Sequence, residues 1–375
     1  MKIVIAPDSF KESAESHEVA AAIERGMRPH FADAQFVQVP VADGGEGTFK
    51  VLTAASGGVI QRISVVGPAG ELVEAQLGFS RDGMTAFIEM AEASGIHLVP
   101  SEARNPMQAT SFGTGQLIAA ALDAGVQRII LGIGGSATND GGIGMMQALG
   151  VQFLDSDGLP VGYGGGELAR IAAIDLSAKH TVLDAVELIV ACDVSNPLLG
   201  EQGATYVYGA QKGADKAMQA ALEAGMAQYA AVATAATGRD AASVAGSGAA
   251  GGLGAALLWF TSAKLYPGID IVLEEVGLAA ICTDADIVIT GEGKIDGQTV
   301  FGKVPVGVAK VAPEDALVIA VCGITGDGFE VVYEHGINAV FSVIHTAQPL
   351  EWQLAHALEN IEITSDAIGR LLREK

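Results

Sequence analysis

Short apolar runs rich in Val and Ile alternate with amphipathic stretches at both ends of the chain. The runs at 2–7 and 35–41 predict buried strands, because they are β-branched and too short for ordinary helices. Helical periodicity follows the first run at 16–27, and a second predicted helix starts at Thr48. This order of strand, helix, strand and helix predicts parallel strands joined by right-handed crossovers.

The middle of the chain has a different pattern. From about Ile60 to Glu89 it shows strand-like alternation broken by turn signals, which predicts antiparallel strands. Past Ile281 the α/β alternation returns. We therefore predict an α/β protein of two domains. One is built from residues 1–66 and 281–375, the other is inserted at 67–280, and the active site lies in a cleft between them.

Four of the apolar runs end abruptly in glycines and acids. In open α/β sheets, ligands bind beyond the carboxyl ends of the strands, so these acids would face a ligand. Carboxylates beside exposed N–H groups suit a divalent metal together with a phosphate. The acids are Asp43, Asp140, Asp193, Glu292 and Asp296.

Composition narrows the possible functions. Half of the 375 residues are hydrophobic and 17% are charged, which is typical of a compact globular protein. The net charge of −23 argues against nucleic acid and anionic membranes as partners, and a phosphate ligand would need a local cluster of Lys, N–H groups or metal. Three widely spaced cysteines and the lack of a signal-peptide pattern predict a cytoplasmic protein with reduced thiols.

The uncharged stretch 241–263 holds five glycines, and we predict a loop entering a buried helix there, not a membrane span.

Lysines next to predicted helix starts are the candidate anion-binding groups. Residues 297–303 spell G-x-x-x-x-G-K, but Val304 stands where a phosphate-binding loop needs Ser or Thr to bind magnesium. Lys303 nevertheless lies just before a helix start, where its charge and the helix dipole would both favour an anion. Lys11, with Asp8 and Ser9 at the end of the first strand, is a second candidate. The segment 111–115 opens another helix with free N–H groups and hydroxyls, which also suits an anion.

A dinucleotide fingerprint supports a rival function. Gly132, Gly134 and Ala137 fit G-x-G-x-x-A, and Asp155 follows at the distance expected of a ribose-binding acid. Against it, the glycine pair at 141–142 would weaken the helix that must follow. An NAD-dependent hydroxy-acid oxidoreductase therefore remains an alternative, as does a non-catalytic metabolite-binding regulator. Neither zinc-ligand spacing nor a serine-hydrolase G-x-S-x-G motif is present in the sequence.

Six segments, in order along nearly the whole chain, resemble the bacterial glycerate kinase family. They are IAPDSFKES from Ile5, PVADGGEGT from Pro40, GIGGSATNDGG from Gly132, ACDVSNPLLG from Ala191, GSGAAGGLG from Gly246 and ITGEGKIDGQTVFGKVPVGVA from Ile289. The resemblance implies a discontinuous flavodoxin-like, Rossmann-like parallel-sheet domain and an inserted α/β domain of restriction-endonuclease-like topology. The sequence departs from the family pattern at SAESHEVA (13–20) and at GITGDG (323–328).

The resemblance also implies a reaction, in which ATP phosphorylates the 2-hydroxyl of (R)-glycerate in the presence of Mg²⁺ to give 2-phosphoglycerate. A glycerate 3-kinase, giving 3-phosphoglycerate, is the nearest alternative. The expected partners are these small molecules, without nucleic acid or membrane, and the expected assembly is a monomer or homodimer that acts in glycerate breakdown.

Phosphoryl transfer requires positioning and charge neutralisation more than covalent help from the protein. We therefore expect Asp193 or Asp296 to orient or deprotonate the acceptor hydroxyl, and Lys11 and Lys303 to neutralise phosphate charge. The expected metal ligands are Asp43, Asp140 and Glu292. The expected substrate-binding residues are Asp8, Ser9, Lys11, Arg104, Gly44 and Gly45. The expected nucleotide- and phosphate-binding residues are Ser111, Gly113, Thr114, Gly134, Gly135, Ser136, Thr138, Asn139, Gly291 and Lys303.

Overall fold

The computed structural model describes residues 1–373, which form two compact units. Unit 1 comprises Met1–Asp43 and the chain from Gly268 onward, and unit 2 comprises Gly44–Pro267. The strands are β1 (Lys2–Pro7), β2 (Gln35–Gln38), β3 (Val59–Val66), β4 (Leu72–Phe79), β5 (Thr85–Glu89), β6 (Arg128–Gly132), β7 (Gln152–Leu154), β8 (Ala173–Asp175), β9 (Glu187–Ala191), β10 (Lys264–Tyr266), β11 (Ile287–Ile295), β12 (Leu317–Thr325) and β13 (Ala339–Ser342).

The helices connect these strands, and α1 spans the 16–27 segment that the sequence predicts. They are α1 (Ser16–Met27), α2 (Thr48–Ala55), α3 (Ala91–Ser94), α4 (Phe112–Asp123), α5 (Ile143–Ala148), α6 (Ala204–Tyr208), α7 (Lys216–Thr237), α8 (Ala249–Phe260), α9 (Gly268–Glu275), α10 (Leu278–Cys282), α11 (Val304–Val311), α12 (Leu350–Ala355) and α13 (Ala357–Leu372). Short 3₁₀ helices occur at Arg28–His30, Ile96–Leu98, Ser101–Ala103, Gly165–Arg170, Ala210–Lys212 and Phe329–His335.

Unit 1 contains a five-stranded parallel sheet in the order β2–β1–β11–β12–β13. In the order in which this unit's strands occur along the chain, this is 2-1-3-4-5, the flavodoxin-like order. The chain leaves β1 towards one edge and returns on its other side with β11, so the topological switch point lies between β1 and β11. Ligands bind at such a point in doubly wound folds.

Strand β11 is longer than the sequence pattern indicates. The pattern places Glu292 beyond the strand, but the strand continues to Ile295 and pairs Glu292 with Cys322 of β12. The two strands can pair this far because their backbones approach closely at Gly291, where a Cβ would lie 2.0 Å from the carbonyl oxygen of Val321. Glycine at this position therefore lets β12 pack beside β11 along its full length.

Unit 2 contains a six-stranded mixed sheet in the order β10–β9–β6–β5–β4–β3. Strands β3, β4 and β5 pair antiparallel, as the alternation at 60–89 predicts, and the others pair parallel. A separate antiparallel pair joins β7 to β8. Edge-to-face contacts between buried aromatic rings, with Tyr229 against Trp259 at 5.2 Å, strengthen the core of this unit.

The unit boundaries differ from the predicted ones at 66/67 and 280/281. Helix α2 and strand β3 belong to unit 2, because β3 pairs with β4 over its whole length. Helices α9 and α10 belong to unit 1, where Gly307 of α11 packs so closely on Ile269 that a Cβ would lie 2.4 Å from that side chain.

Stretch 241–263 forms a glycine-containing turn followed by the buried helix α8, as the sequence predicts. Left-handed backbone at Ala250, Gly251 and Gly252 bends the start of this helix. None of the helices within residues 1–373 combines the length and the apolar character that crossing a bilayer requires.

Candidate active site

A cavity of about 530 Å³ lies in unit 1 at the switch point between β1 and β11. The loop after β1, residues 8–13, forms one wall, and β11 forms another. The N–H of Asp8 donates to the carbonyl of Gly291 at 2.8 Å, so the loop starts from the sheet itself. The polar and charged residues lining the cavity are Asp8, Ser9, Lys11, Glu12, Ser13, Asp43, Glu292, Lys294, Lys303 and Gln353.

Three carboxyl groups, those of Asp8, Asp43 and Glu292, cluster in one part of this unit 1 cavity. Asp8 is 8% exposed, and its pKa is raised to about 7, first by burial and then by the nearby charge of Asp43, with Glu292 adding to it. The N–H of Ser9, which donates to Asp8 Oδ1 at 2.7 Å, and the charge of Lys11 oppose the rise. Asp8 therefore holds or releases a proton near neutral pH.

Glu292 and Lys303 form an ion pair in the same part of the cavity. Lys303 Nζ lies 3.3 Å from Glu292 Oε2, and the hydroxyl of Thr299 donates to Glu292 Oε1 at 2.7 Å. Burial raises the pKa of Glu292, while Thr299 and Lys303 limit the rise. Lys303 is the residue before α11, as predicted, so its charge and the helix dipole act together.

Apolar side chains also line the unit 1 cavity. Ile324 at the end of β12, Ile344 after β13 and Leu350 of α12 line it, and they are 49%, 43% and 72% exposed. Val343, Leu354 and Ala357 complete this wall. Exposed aliphatic side chains converging on a cavity suit a flat, weakly polar ring system.

Asp296, one of the two expected hydroxyl-activating acids, does not line the cavity. Its carboxylate pairs with Lys294 at 2.9 Å and accepts a hydrogen bond from the N–H of Gln298 at 2.9 Å. The hydrogen bond from Lys294 holds the pKa of Asp296 below its usual range. These contacts stabilise a turn, so the surroundings of Asp296 give no support to the expected role.

The donor set of the unit 1 cavity fits Mg²⁺ bound together with a phosphate. Within residues 1–373, no group of three or more His, Cys, Asp or Glu side chains is arranged to hold a metal by itself. Magnesium in phosphoryl-transfer sites instead uses one or two carboxylates together with waters and phosphate oxygens. Asp43 and Glu292 both raise the pKa of Asp8, so a cation beside these three carboxyls would relieve their repulsion.

The buried Asp8 should make the stability of the metal-free protein depend on pH. Since its pKa is about 7 when folded and 3.8 when unperturbed, the folded form keeps a proton that the unfolded form loses between those values. The contribution of Asp8 to the free energy of unfolding is thus fully present below pH 4 and is lost as the pH rises through 7. We expect Asp8→Asn to stabilise the protein in EDTA by up to about 4 kcal/mol at pH 8, and by little at pH 4.

Thermal melts at both pH values check this, with the exposed Asp315→Asn as a matched control. A change in melting temperature for Asp8→Asn that is the same at pH 4 and pH 8 would contradict it.

Unit 2 has a separate cavity of about 320 Å³ at the carboxyl ends of β6 and β9. Two glycine loops line it, Gly44–Gly45 and Gly134–Gly135, together with Asp193 just after β9. The structure thus places Asp193 beside Gly44, Gly45, Gly134, Gly135 and Ser136, which the sequence assigned to substrate and phosphate.

Glu89, which the sequence did not single out, fixes the first of these loops. Its carboxylate accepts hydrogen bonds from the N–H groups of Gly47 at 3.2 Å and Phe49 at 3.0 Å. It is 6% exposed, and burial raises its pKa to about 7, although those two N–H groups oppose the rise. Its position at the last residue of β5, a strand end, is the sequence signal that could have identified it.

Lys212 is the second residue that the sequence interpretation missed. It is 2% exposed, lines the unit 2 cavity, and donates to Ser136 Oγ at 2.8 Å and to the carbonyl of Thr138 at 2.6 Å. Burial lowers its pKa to about 7, and the charge of Asp140 opposes the fall. The available signal was a lysine between two glycines, Gly209 and Gly213, in a small-residue loop.

Asp140 is fully buried and supports the fold. Its carboxylate accepts hydrogen bonds from the N–H and hydroxyl of Ser111, both at 2.8 Å, and from the N–H groups of Gly142 and Gly144. Burial raises its pKa against these bonds. With both oxygens occupied from within the protein, Asp140 has surroundings that do not support the expected metal role.

The same contacts change the interpretation of the 111–115 segment. The carboxylate of Asp140 occupies the N–H and hydroxyl of Ser111, at the start of α4, where a phosphate was expected. Thr114 shares a hydrogen bond with Ser94 at 2.8 Å, and a Cβ on Gly113 would lie 2.1 Å from the carbonyl of Val66. These residues therefore pack α4 into unit 2 and offer little to a ligand.

The remaining expected site residues lie outside the two cavities. Arg104 donates to the carbonyls of Val99 and Gln211, at 3.4 and 3.2 Å, and lines only a small hollow. Thr138 and Asn139 are fully buried, and Asn139 donates to Thr205 at 3.1 Å. Gly291 allows β12 to pack closely against β11. Their surroundings do not support direct ligand contact.

The dinucleotide fingerprint does not form its required structure. Strand β6 ends at Gly132, but α5 begins only at Ile143, so no helix starts on the glycine turn. Asp155, the expected ribose-binding acid, is paired with Arg170 at 2.9 Å in a turn. A pyrophosphate site of this kind needs the helix N-terminus directly after the turn, which the structure lacks.

Comparison with known proteins agrees with the motifs. The sequence model of the glycerate kinase family matches residues 3–373. A glycerate 2-kinase from Escherichia coli K12 is 51% identical over 96% of this chain and 95% of its own length. A glycerate kinase from Bacillus subtilis 168 is 52% identical over 100% of this chain and 98% of its own length.

The fold agrees as well. The crystal structure of a candidate glycerate kinase 2 from Salmonella typhimurium LT2 superposes with a TM-score of 0.92, at 48% sequence identity, over 100% of this chain and 98% of that one. The chain described here belongs to the glycerate kinase family.

Proposed function

We propose that this protein is an ATP-dependent glycerate 2-kinase, which converts ATP and (R)-glycerate into ADP and 2-phosphoglycerate. The observation that carries this proposal is the 51% identity to the E. coli glycerate 2-kinase over 96% of the chain. Two cavities, of about 530 and 320 Å³, support it, because the reaction needs a nucleotide site and a site for a small hydroxy acid.

The unit 1 cavity is the better site for ATP. Its apolar side chains suit the adenine ring, and Lys11, Lys294 and Lys303 supply positive charge for the polyphosphate. Its position at the switch point of a flavodoxin-like sheet is where nucleotides bind in that fold. This reassigns the nucleotide from the 111–115 and 134–139 segments to unit 1.

The unit 2 cavity is the better site for glycerate. It is the smaller of the two cavities, at about 320 Å³, and the acidic residue Asp193 lines it. In the proposed step, the 2-oxygen bonds to the γ-phosphorus as the bond from that phosphorus to the β,γ-bridging oxygen breaks. Asp193 orients the hydroxyl and accepts its proton.

Two of the three carboxyl groups of Asp8, Asp43 and Glu292 would hold Mg²⁺, together with water and phosphate oxygens. When bound, the ion neutralises charge on the phosphate oxygens. Lys303 remains beside Glu292 as fixed positive charge for the same phosphates, and Lys11 adds to it from the loop after β1. Asp43 and Glu292 thus remain candidate metal ligands, and Asp8 replaces Asp140 as the third.

We also propose, from the sequence, that the reaction takes place in a cleft between the two domains, that the protein is cytoplasmic, and that it is a monomer or homodimer. The cleft matters most, because γ-phosphorus and acceptor oxygen must approach within about 3–3.5 Å for transfer.

A coupled assay of ADP release tests the function. We expect release to require (R)-glycerate and to stop in EDTA, and we expect ³¹P NMR to identify 2-phosphoglycerate. Formation of 3-phosphoglycerate would favour the 3-kinase alternative. ATP binding without any turnover of glycerate would favour a non-catalytic regulator.

A further inference from the structure

Lys212 lines the unit 2 cavity together with the turn after β6, at Gly134–Ser136. Among residues 1–373, no acceptor is found for the N–H groups of Gly134, Gly135 and Ser136, which line the unit 2 cavity. Gly135 has a φ of +72°, and such a left-handed residue within a turn directs successive N–H groups towards one point. A left-handed residue is one component of an anion-binding nest, so these three N–H groups are a candidate nest.

The ammonium group of Lys212 supplies a charge beside this nest. Two of its three hydrogens go to Ser136 Oγ and the Thr138 carbonyl, so one remains for a ligand. These two hydrogen bonds fix the position of the ammonium group beside the nest. Burial of this ammonium group costs free energy and lowers its pKa, and an anion bound beside it would favour the charged form.

We propose that Lys212 and the N–H groups of Gly134–Ser136 form the subsite that binds the carboxylate of the acceptor. This deepens the proposed function and rests on it. Among residues 1–373, Lys212 is the one lysine or arginine that lines the unit 2 cavity, which matches a ligand group of charge −1. A polyphosphate, with several charges beside Asp193, would need more cations, and the lysines of the unit 1 cavity meet that need.

The subsite gives glycerate an orientation. With its carboxylate on the nest, its 2-hydroxyl is one carbon away and its 3-hydroxyl two. Asp193 in the same cavity then selects between the two oxygens by distance. Lys212 therefore takes the role that the sequence assigned to Arg104, whose guanidinium is committed to main-chain carbonyls.

Substituting Lys212 provides the main test. Lys212→Met removes charge and donors, whereas Lys212→Gln keeps an amide that can bond to Ser136 and Thr138 without charge. We expect both to weaken glycerate binding by about 10- to 100-fold, as for loss of a hydrogen bond to a charged group, and to leave ADP binding unchanged. The exposed Lys216→Met, at the start of α7, is the matched control.

Isothermal titration with glycerate and, separately, with ADP distinguishes the sources of the anion. Loss of glycerate affinity alone supports the proposal. Loss of ADP affinity with glycerate affinity intact would identify the anion as a phosphate and overturn it. Unchanged affinity for both in folded variants, or rescue of glycerate binding by Lys212→Gln, would reduce Lys212 to structural support.

The wild-type protein gives an independent readout. Because the pKa of Lys212 is about 7, glycerate binding at pH 8 should take up a proton, seen as a heat that depends on the buffer's ionisation enthalpy. Other titratable groups near Lys212 are Asp140, which opposes its pKa shift, and the cavity-lining Cys192, Asp193 and Tyr208. Glycerate binding without proton uptake would overturn the proposal even if both variants failed to fold. Failure of the wild type to turn over glycerate would instead count against the proposed function.

Discussion

Replacing Asp193 by Asn should lower kcat by about 10²–10⁴-fold while the protein remains folded, the range typical of losing a general base. Asn keeps the size of the side chain and can still accept a hydrogen bond from the acceptor hydroxyl, but it cannot take its proton. Asp193 lines the unit 2 cavity and is solvent-exposed, so its loss should not disturb the core. Steady-state kinetics with saturating ATP and glycerate measure the effect.

Asp296→Asn is the matched control for this prediction. Asp193 and Asp296 are equal candidates on sequence grounds, but Asp193 lines the unit 2 cavity, whereas Asp296 is held by Lys294 and Gln298 in a turn. We therefore expect Asp296→Asn to keep kcat within a few-fold of wild type. The reverse result, with Asp296→Asn inactive and Asp193→Asn active, would show that the acceptor is activated in unit 1.

Lys303→Met should reduce kcat/KM for ATP by about 10²–10³-fold, the effect of removing one donor that stabilises transition-state charge. Lys303 lies at the N-terminus of α11 and beside Glu292, so its removal also leaves Glu292 as an uncompensated negative charge facing the phosphates. Both changes should lower kcat/KM for ATP. Kinetics with varied ATP at saturating glycerate, after a thermal melt has shown that the variant folds, measure the loss.

Lys310→Met tests whether any loss of charge on α11 has this effect. Lys310 lies in the last turn of the same helix and is exposed, so the variant has the same net charge as Lys303→Met. It should retain wild-type kinetics. Equal losses in the two variants would point to the overall charge of unit 1 and not to a specific phosphate contact.

Much of the fold follows from local sequence patterns. Helix α1 has the amphipathic spacing and the β-branched strand before it that predict its bounds, and the structure confirms them. The alternation at 60–89 correctly predicts antiparallel strands. The chain divides at 43/44 and not at the predicted 66/67, because nothing local in 59–66 shows that this strand pairs forward with β4. That pairing is determined by the tertiary structure and not by the local sequence pattern.

Site residues that follow a strand could be predicted from the sequence. Residues whose role depends on tertiary contacts could not. Asp8, Asp43, Lys11, Asp193 and the glycine loops line the cavities because strand ends place them there. Asp140 has the same motif context, yet Ser111, about thirty positions earlier, occupies its carboxylate. Lys212 was missed because its partners, Ser136 and Thr138, are more than seventy positions away.

A crystal structure with Mg·ADP and glycerate bound tests the division of ligands between the two cavities most directly. The account predicts ADP in unit 1, with its base against Ile324, Ile344 and Leu350. It predicts glycerate in unit 2, with its carboxylate on Lys212 and its 2-hydroxyl on Asp193. Glycerate in the unit 1 cavity, or ADP phosphates on Lys212, would contradict it.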